Sequence, residues 1–260
     1  VLGFLFFTLL QYSKNPFVSI VIPYFVISIP LGEIHVASGY VDFLFGLIAS
    51  VGVIFLFLWL EKGRRVFYLA AAVFMLGFAG FIKANPFALF IIPFIVTVLL
   101  VSLRNVKYFL IVLFSLIAGF GLLLGPWFAF KGLYPWQIFG SLKFENHMDA
   151  FPFLFPVLFG EGNYNIFFFG FVAFLLTLVF KKFSTRHLAL IGLTLLTMCL
   201  LFASFLFSQY GAYLKDQTTF NRAMLTVLPS LIFVVGIVVH DWLKIEKIAA
   251  EKIDVKRKRK

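Results

Sequence analysis

Cysteine is almost absent: Cys199 is the single one in 260 residues, which excludes an intrachain disulfide and any site built on paired thiolates. Charge is scarce as well, at 13% of residues against about 25% in soluble domains. Acidic residues are the scarcer sign, 11 against 22 basic ones, for a net charge of +11. No glycine-rich phosphate loop follows a strand pattern, and neither a Ser, His and Asp constellation nor an HExxH pair is present, which removes the best-marked enzyme classes. No internal repeat is visible, which weighs against inverted-repeat transporters. The chain opens on Val1 with no Met and no basic segment before its first apolar run. That run is therefore not read as a signal peptide, and the sequence reads as the C-terminal portion of a longer polypeptide.

What is present is hydrophobic: 62% of the residues, 39 of them Phe, with a mean hydropathy of +1.05. Apolar runs cover 1–10, 17–31, 43–60, 66–82, 86–103, 108–128, 166–180, 188–207 and 223–242. Most approach the roughly 17 to 25 residues that cross a hydrocarbon core of about 30 Å. They are continuous rather than alternating, so helices are expected instead of a barrel. The expected fold is an all-α polytopic membrane protein of about nine transmembrane helices over residues 1–243, followed by a basic tail at 244–260.

The basic residues sort by loop. Lys14, then Lys62, Arg64 and Arg65, then Arg104 and Lys107, then Lys181, Lys182 and Arg186, and finally the eight from Lys244 onward fall between alternate runs. The positive-inside rule makes these cytoplasmic, with the C-terminus inside. The tail is expected on anionic headgroups rather than on nucleic acid. An integral protein of a bacterial inner membrane is the expected setting.

Three stretches then face outward, 32–42, 129–165 and 208–222, and together with the tight hairpin at Lys83 they carry the candidate residues. Asp42 stands at a helix start, where it is either an N-cap or an acid that holds a divalent metal or an acceptor. Glu33 and His35 could add metal ligands, although their spacing is common. Lys83 sits in a hairpin too tight to stand clear of the membrane, so it either snorkels or binds a lipid phosphate. Arg222 opens the last span and would pair with Asp216, or hold an anion together with Lys215; Pro229 beyond it should kink the helix. Glu145, His147 and Asp149 alternate in the long loop; on an extended segment they share a face. Tyr134, Trp136, Phe151, Phe153 and Phe155 suit the membrane interface.

Taken in order, several segments resemble the glycosyltransferase C (GT-C) superfamily, in its protein O-mannosyltransferase and aminoarabinose transferase branch. They are Ser38-Gly39-Tyr40-Val41-Asp42 before a span, the Phe81-Ile82-Lys83-Ala84-Asn85-Pro86 hairpin, Gly125-Pro126-Trp127 with Tyr134-Pro135 after it, and Asn221-Arg222 leading to Leu228-Pro229. The resemblance implies inverting transfer of a sugar from a polyprenyl-phosphate donor to a glycan, lipid or protein acceptor at the extracytoplasmic face. It makes Asp42 the second acidic position, for metal or acceptor, and gives Lys83 and Arg222 the lipid phosphate. Lys215, Glu145 and His147 are further candidates for binding substrate. The family's principal catalytic aspartate would lie upstream of Val1, so this portion is not expected to be active alone. The alternatives are a transporter or flippase, or a multispan polymerase or ligase, for lipid-linked saccharides.

Overall fold

The computed structural model describes residues 1–82, 87–103, 105–133, 143–164, 166–180, 183–214 and 217–258, with the side chains of 87–88, 127–128, 130–133 and 245–258 excepted. Among them are ten α-helices, three short 3-10 or π turns and no strand. The chain is an all-α protein with helices long and apolar enough to span a membrane. Four helical stretches meet that length: α4 (Asp42–Glu61), Val106–Pro126 within α7 (Val106–Leu133), α9 (Thr185–Leu206), and Thr218–Lys244 within α10 (Thr218–Lys258). The other apolar runs form shorter helices: α1 (Leu2–Ser13), α5 (Val66–Ile82), α6 (Phe87–Ser102) and α8 (Phe167–Leu178).

The run 17–31 is not one straight helix. Pro16 opens α2 (Pro16–Ile27), where its missing N–H costs nothing, and the Asn15 side chain caps the Phe17 amide. Pro30 then disfavours helical geometry in the residue before it, so the chain breaks and restarts as α3 (Pro30–Ala37), bent by 59° from α2. Counting that bent pair once raises the candidate spans to five.

Helices α4 and α10 form the centre. In their apolar windows 67% and 72% of residues are buried, against 22% in α7, which lies at the periphery. The two central helices run parallel, since the start of each meets the start of the other, and they approach backbone to backbone at Gly46. A Cβ there would stand 2.6 Å from the Leu225 carbonyl oxygen and 2.7 Å from that of Thr226. Pro229 explains what is found at this point: lacking an N–H, it cannot satisfy the Leu225 carbonyl one turn before it, and that carbonyl faces the bare Cα of Gly46. The helix continues through Pro229 without a break. Small residues let membrane helices close on one another where lipid offers no hydrophobic drive to do so.

Candidate functional site

The two central helices are charged at both ends with one spacing. Asp42 and Glu61 stand nineteen residues apart on α4, as do Arg222 and Asp241 on α10. That is about 28 Å of helix at 1.5 Å per residue, close to the thickness of a hydrocarbon core. Two polar clusters result, one at each end of the pair.

At the Asp42 end, the Arg222 Nε donates to Asp42 Oδ2 at 3.0 Å. The carboxylate is fully buried and the arginine one-third exposed. Asp42 is not the N-cap of α4. Val41 holds that position without a side-chain cap, and Asp42 is the first helical residue, still near the positive end of the helix dipole. A buried carboxylate needs a charged, hydrogen-bonded partner, and Arg222 fills that role; the partner expected for Arg222 itself, Asp216, lies outside the described residues. The Arg222 guanidinium also lies 4.4 Å from the centre of the Tyr40 ring, a cation–π contact. Tyr40 is aimed by the turn Ser38-Gly39, where Gly39 has φ +74° and the Tyr40 amide donates to the His35 carbonyl at 3.0 Å.

Asn221, beside Arg222, is buried and accepts at Oδ1 from the Tyr164 hydroxyl at 2.7 Å. Burial, aided by Glu161, pushes the Tyr164 phenol well above its usual range, so it keeps its proton and acts as a donor. The Asn163 carbonyl accepts from the Leu31 amide at 3.4 Å. The loop before α8 is thus tied to the first turn of α10 and to α3. Tyr164→Phe leaves a buried amide oxygen unpaired, which costs about 1–3 kcal/mol; a lowered thermal midpoint in detergent, read by intrinsic fluorescence, is the expected result.

The remaining outward candidates divide. On α3, Glu33 is exposed while His35 is buried with its ring 5.0 Å from that of Tyr40; two residues apart on a helix they point to different sides. No three His, Cys, Asp or Glu side chains gather for a metal ion among the described residues. Glu145 and His147 do share a face, their side chains 3.3 Å apart. They sit on an extended strap along the end of α9, where Glu145 and His147 amides donate to the Phe207 and Leu206 carbonyls and the Gln209 amide donates to that of Lys143. The His147 ring lies directly against Gly211, where any Cβ would collide with it. Lys83 and Lys215 lie outside the described residues, as do Tyr134 and Trp136.

The Asp241 end is a cluster that sequence reasoning missed. Asp241 accepts from the Tyr12 hydroxyl at 2.7 and 2.9 Å, from His187 Nε2 at 2.8 Å, and from Arg186, which also reaches Glu61. Four helices meet there: α1, α4, α9 and α10. Ser184 caps α9 through the His187 amide at 3.3 Å, which sets both Arg186 and His187 on the first turn. The Arg186 guanidinium lies 5.6 and 5.7 Å from the Tyr12 and Phe57 ring centres. The repeated spacing of nineteen is the signal the sequence offers for this cluster; in the loop pattern Arg186 is one basic residue among several.

Two grooves of about 330 and 320 Å³ open between α5 and α7, around Val73, Gly119 and Leu123, and between α6 and α9, around Thr97, Ala189 and Gly192. Their nearly apolar walls contain no residue of either cluster and suit lipid chains rather than a polar ligand. No family model, no curated protein and no solved structure matches the chain.

Proposed function

We propose that the chain is part of a membrane glycosyltransferase that takes a sugar from a polyprenyl-phosphate donor at the extracytoplasmic face. The observation that carries this reading is the Asp42–Arg222 pair, in which residues remote in sequence meet at the end of the bundle assigned outward by the loop charges. All five residues of the opposite cluster fall on the side that rule assigns to the cytosol, which makes the two assignments mutually consistent. In this reading the Arg222 guanidinium, oriented by Asp42 and Tyr40, balances the charge of the leaving polyprenyl phosphate. Lys83 and Lys215 would add to that field. A divalent ion at Asp42 would compete with Arg222 for the same carboxylate, so the phosphate charge is assigned to the arginine first.

Binding separates this reading from a purely structural ion pair. In native mass spectrometry of the chain in detergent, a polyprenyl phosphate should bind at least about tenfold more tightly than the uncharged polyprenol, a difference of about 1.4 kcal/mol. Arg222→Ala should remove that preference while leaving polyprenol binding unchanged. Equal affinity of the parent protein for both lipids would end the proposal. In a sugar-transfer assay with reconstituted protein, Asp42→Asn and Arg222→Ala should each lower the rate at least about tenfold.

A second reading, a carrier for lipid-linked saccharides, draws on the 59° break between α2 and α3, because broken helices line the sites of many transporters. Proteoliposomes that move a fluorescent polyprenyl-phosphate lipid between leaflets without sugar transfer would favour it.

A further inference from the structure

The segment Met148–Gly160 belongs to no span and to neither polar cluster. It is one unbroken helical stretch, in which a 3-10 turn at Met148–Phe153 and a π turn at Pro156–Gly160 are joined through helical residues 154 and 155. End to end they reach about 20–25 Å, short of the roughly 30 Å needed to cross. Pro152 and Pro156 lack the N–H that a regular α-helix would use, in keeping with the 3-10 and π geometry of the two turns.

Its side chains fall on two apolar faces. Ala150, Leu154 and Val157 are buried against the bundle. Phe151, Phe153 and Phe155 are exposed on the other side, Phe155 at 69%, and Phe144 just before the segment is exposed at 91%. A segment that offers large aromatic groups outward while its aliphatic side pairs with the bundle is poorly suited to water. From Phe144 to Phe180 there is also no Lys or Arg.

Both flanks of the segment are fastened at the level where spans end. On one side the strap at 143–147 bonds to the last turn of α9 and the residues after it; on the other, Tyr164 bonds to the first turn of α10. The segment therefore lies across the Asp42 end, at the depth where helices α9 and α10 leave the hydrocarbon. Aromatic rings are favoured in that zone, where an apolar body meets headgroups.

We infer that Met148–Gly160 is an interfacial docking element, lying in the plane of the membrane with Phe151, Phe153 and Phe155 inserted at the boundary between headgroups and acyl chains. The lipid surface is its partner. The inference rests on the membrane reading alone and stands whether or not the protein transfers sugar.

The lone cysteine makes the test direct. In nanodiscs, a nitroxide on native Cys199, which is exposed midway along α9, supplies a hydrocarbon reference. In a Cys199→Ser background, Glu161→Cys supplies a solvent reference, and labels at Phe155→Cys and Phe153→Cys report on the segment. Their collision rates with oxygen, relative to a water-soluble nickel chelate, should exceed that of position 161 at least about threefold and approach that of Cys199. A nickel-accessible label at both 153 and 155, matching position 161, would overturn the inference. So would labels shielded from both reagents, which would mean that protein covers the face instead of lipid. Two labelled positions guard against one variant that misfolds, and the labelled Cys199 protein needs no substitution.

Discussion

Gly46→Ala is expected to destabilise the protein by about 3 kcal/mol or more, although it adds only one methyl group. Overpacking of a core usually costs about 1–3 kcal/mol because side chains rotate aside. At Gly46 the obstacles are the Leu225 and Thr226 carbonyl oxygens, at 2.6 and 2.7 Å from the new Cβ, and a backbone has no alternative rotamer. Helix α4 must then move off α10, which also strains the Asp42–Arg222 pair one turn away. The control is Gly121→Ala on α7, where nothing lies within 4 Å of the added Cβ. There the gain in helix propensity of about 0.5–1 kcal/mol should raise stability. Thermal unfolding of both variants in detergent, followed by loss of monodispersity, reads the contrast. Equal midpoints for Gly46→Ala and the parent protein would mean that the central helices are not in backbone contact.

Asp241→Ala should be comparably damaging, by about 3–5 kcal/mol, the usual cost of breaking a buried ion pair by removing one partner. Asp241 is nearly buried, and it gathers Tyr12, His187 and Arg186 on one carboxylate. Without it, the Arg186 charge keeps Glu61 as its acidic partner, and α1 loses the hydrogen bonds that fasten its end to α10. Hydrogen exchange should accordingly rise first in α1. Pairing Asp241→Ala with Arg186→Ala gives a cycle in which the double variant is less destabilised than the sum of the singles. Additive effects would mean that the cluster does not act as a unit.

The two polar clusters differ in how far the sequence foretells them. Asp42 and Arg222 stood out beforehand because each is a charge at the edge of an apolar run, where its isolation is conspicuous. They form a direct ion pair, which the sequence pattern does not encode. The N-cap alternative for Asp42 fails because Val41 holds the N-cap position and Asp42 is the first helical residue, a shift of one residue that periodicity does not resolve. Glu145 and His147 share a face as an extended segment requires, yet the His147 ring packs on Gly211 rather than on the Asp42–Arg222 pair. The Asp241 cluster escaped notice because Arg186 sits in a basic loop, where a positive charge is unremarkable until an acid from another helix meets it.

By itself the sequence determined the solvent, the helical fold class and the positions of the polar residues along each helix. These follow from composition, run length and the need of every backbone amide in lipid for a partner within its own segment. Only the tertiary structure decided which helix faces which, because in lipid all apolar faces are nearly equivalent and close packing at single residues chooses between them. Gly46 against Leu225, and Asp241 among Tyr12, Arg186 and His187, are such choices: each depends on residues more than fifty positions apart, whose proximity no local pattern encodes.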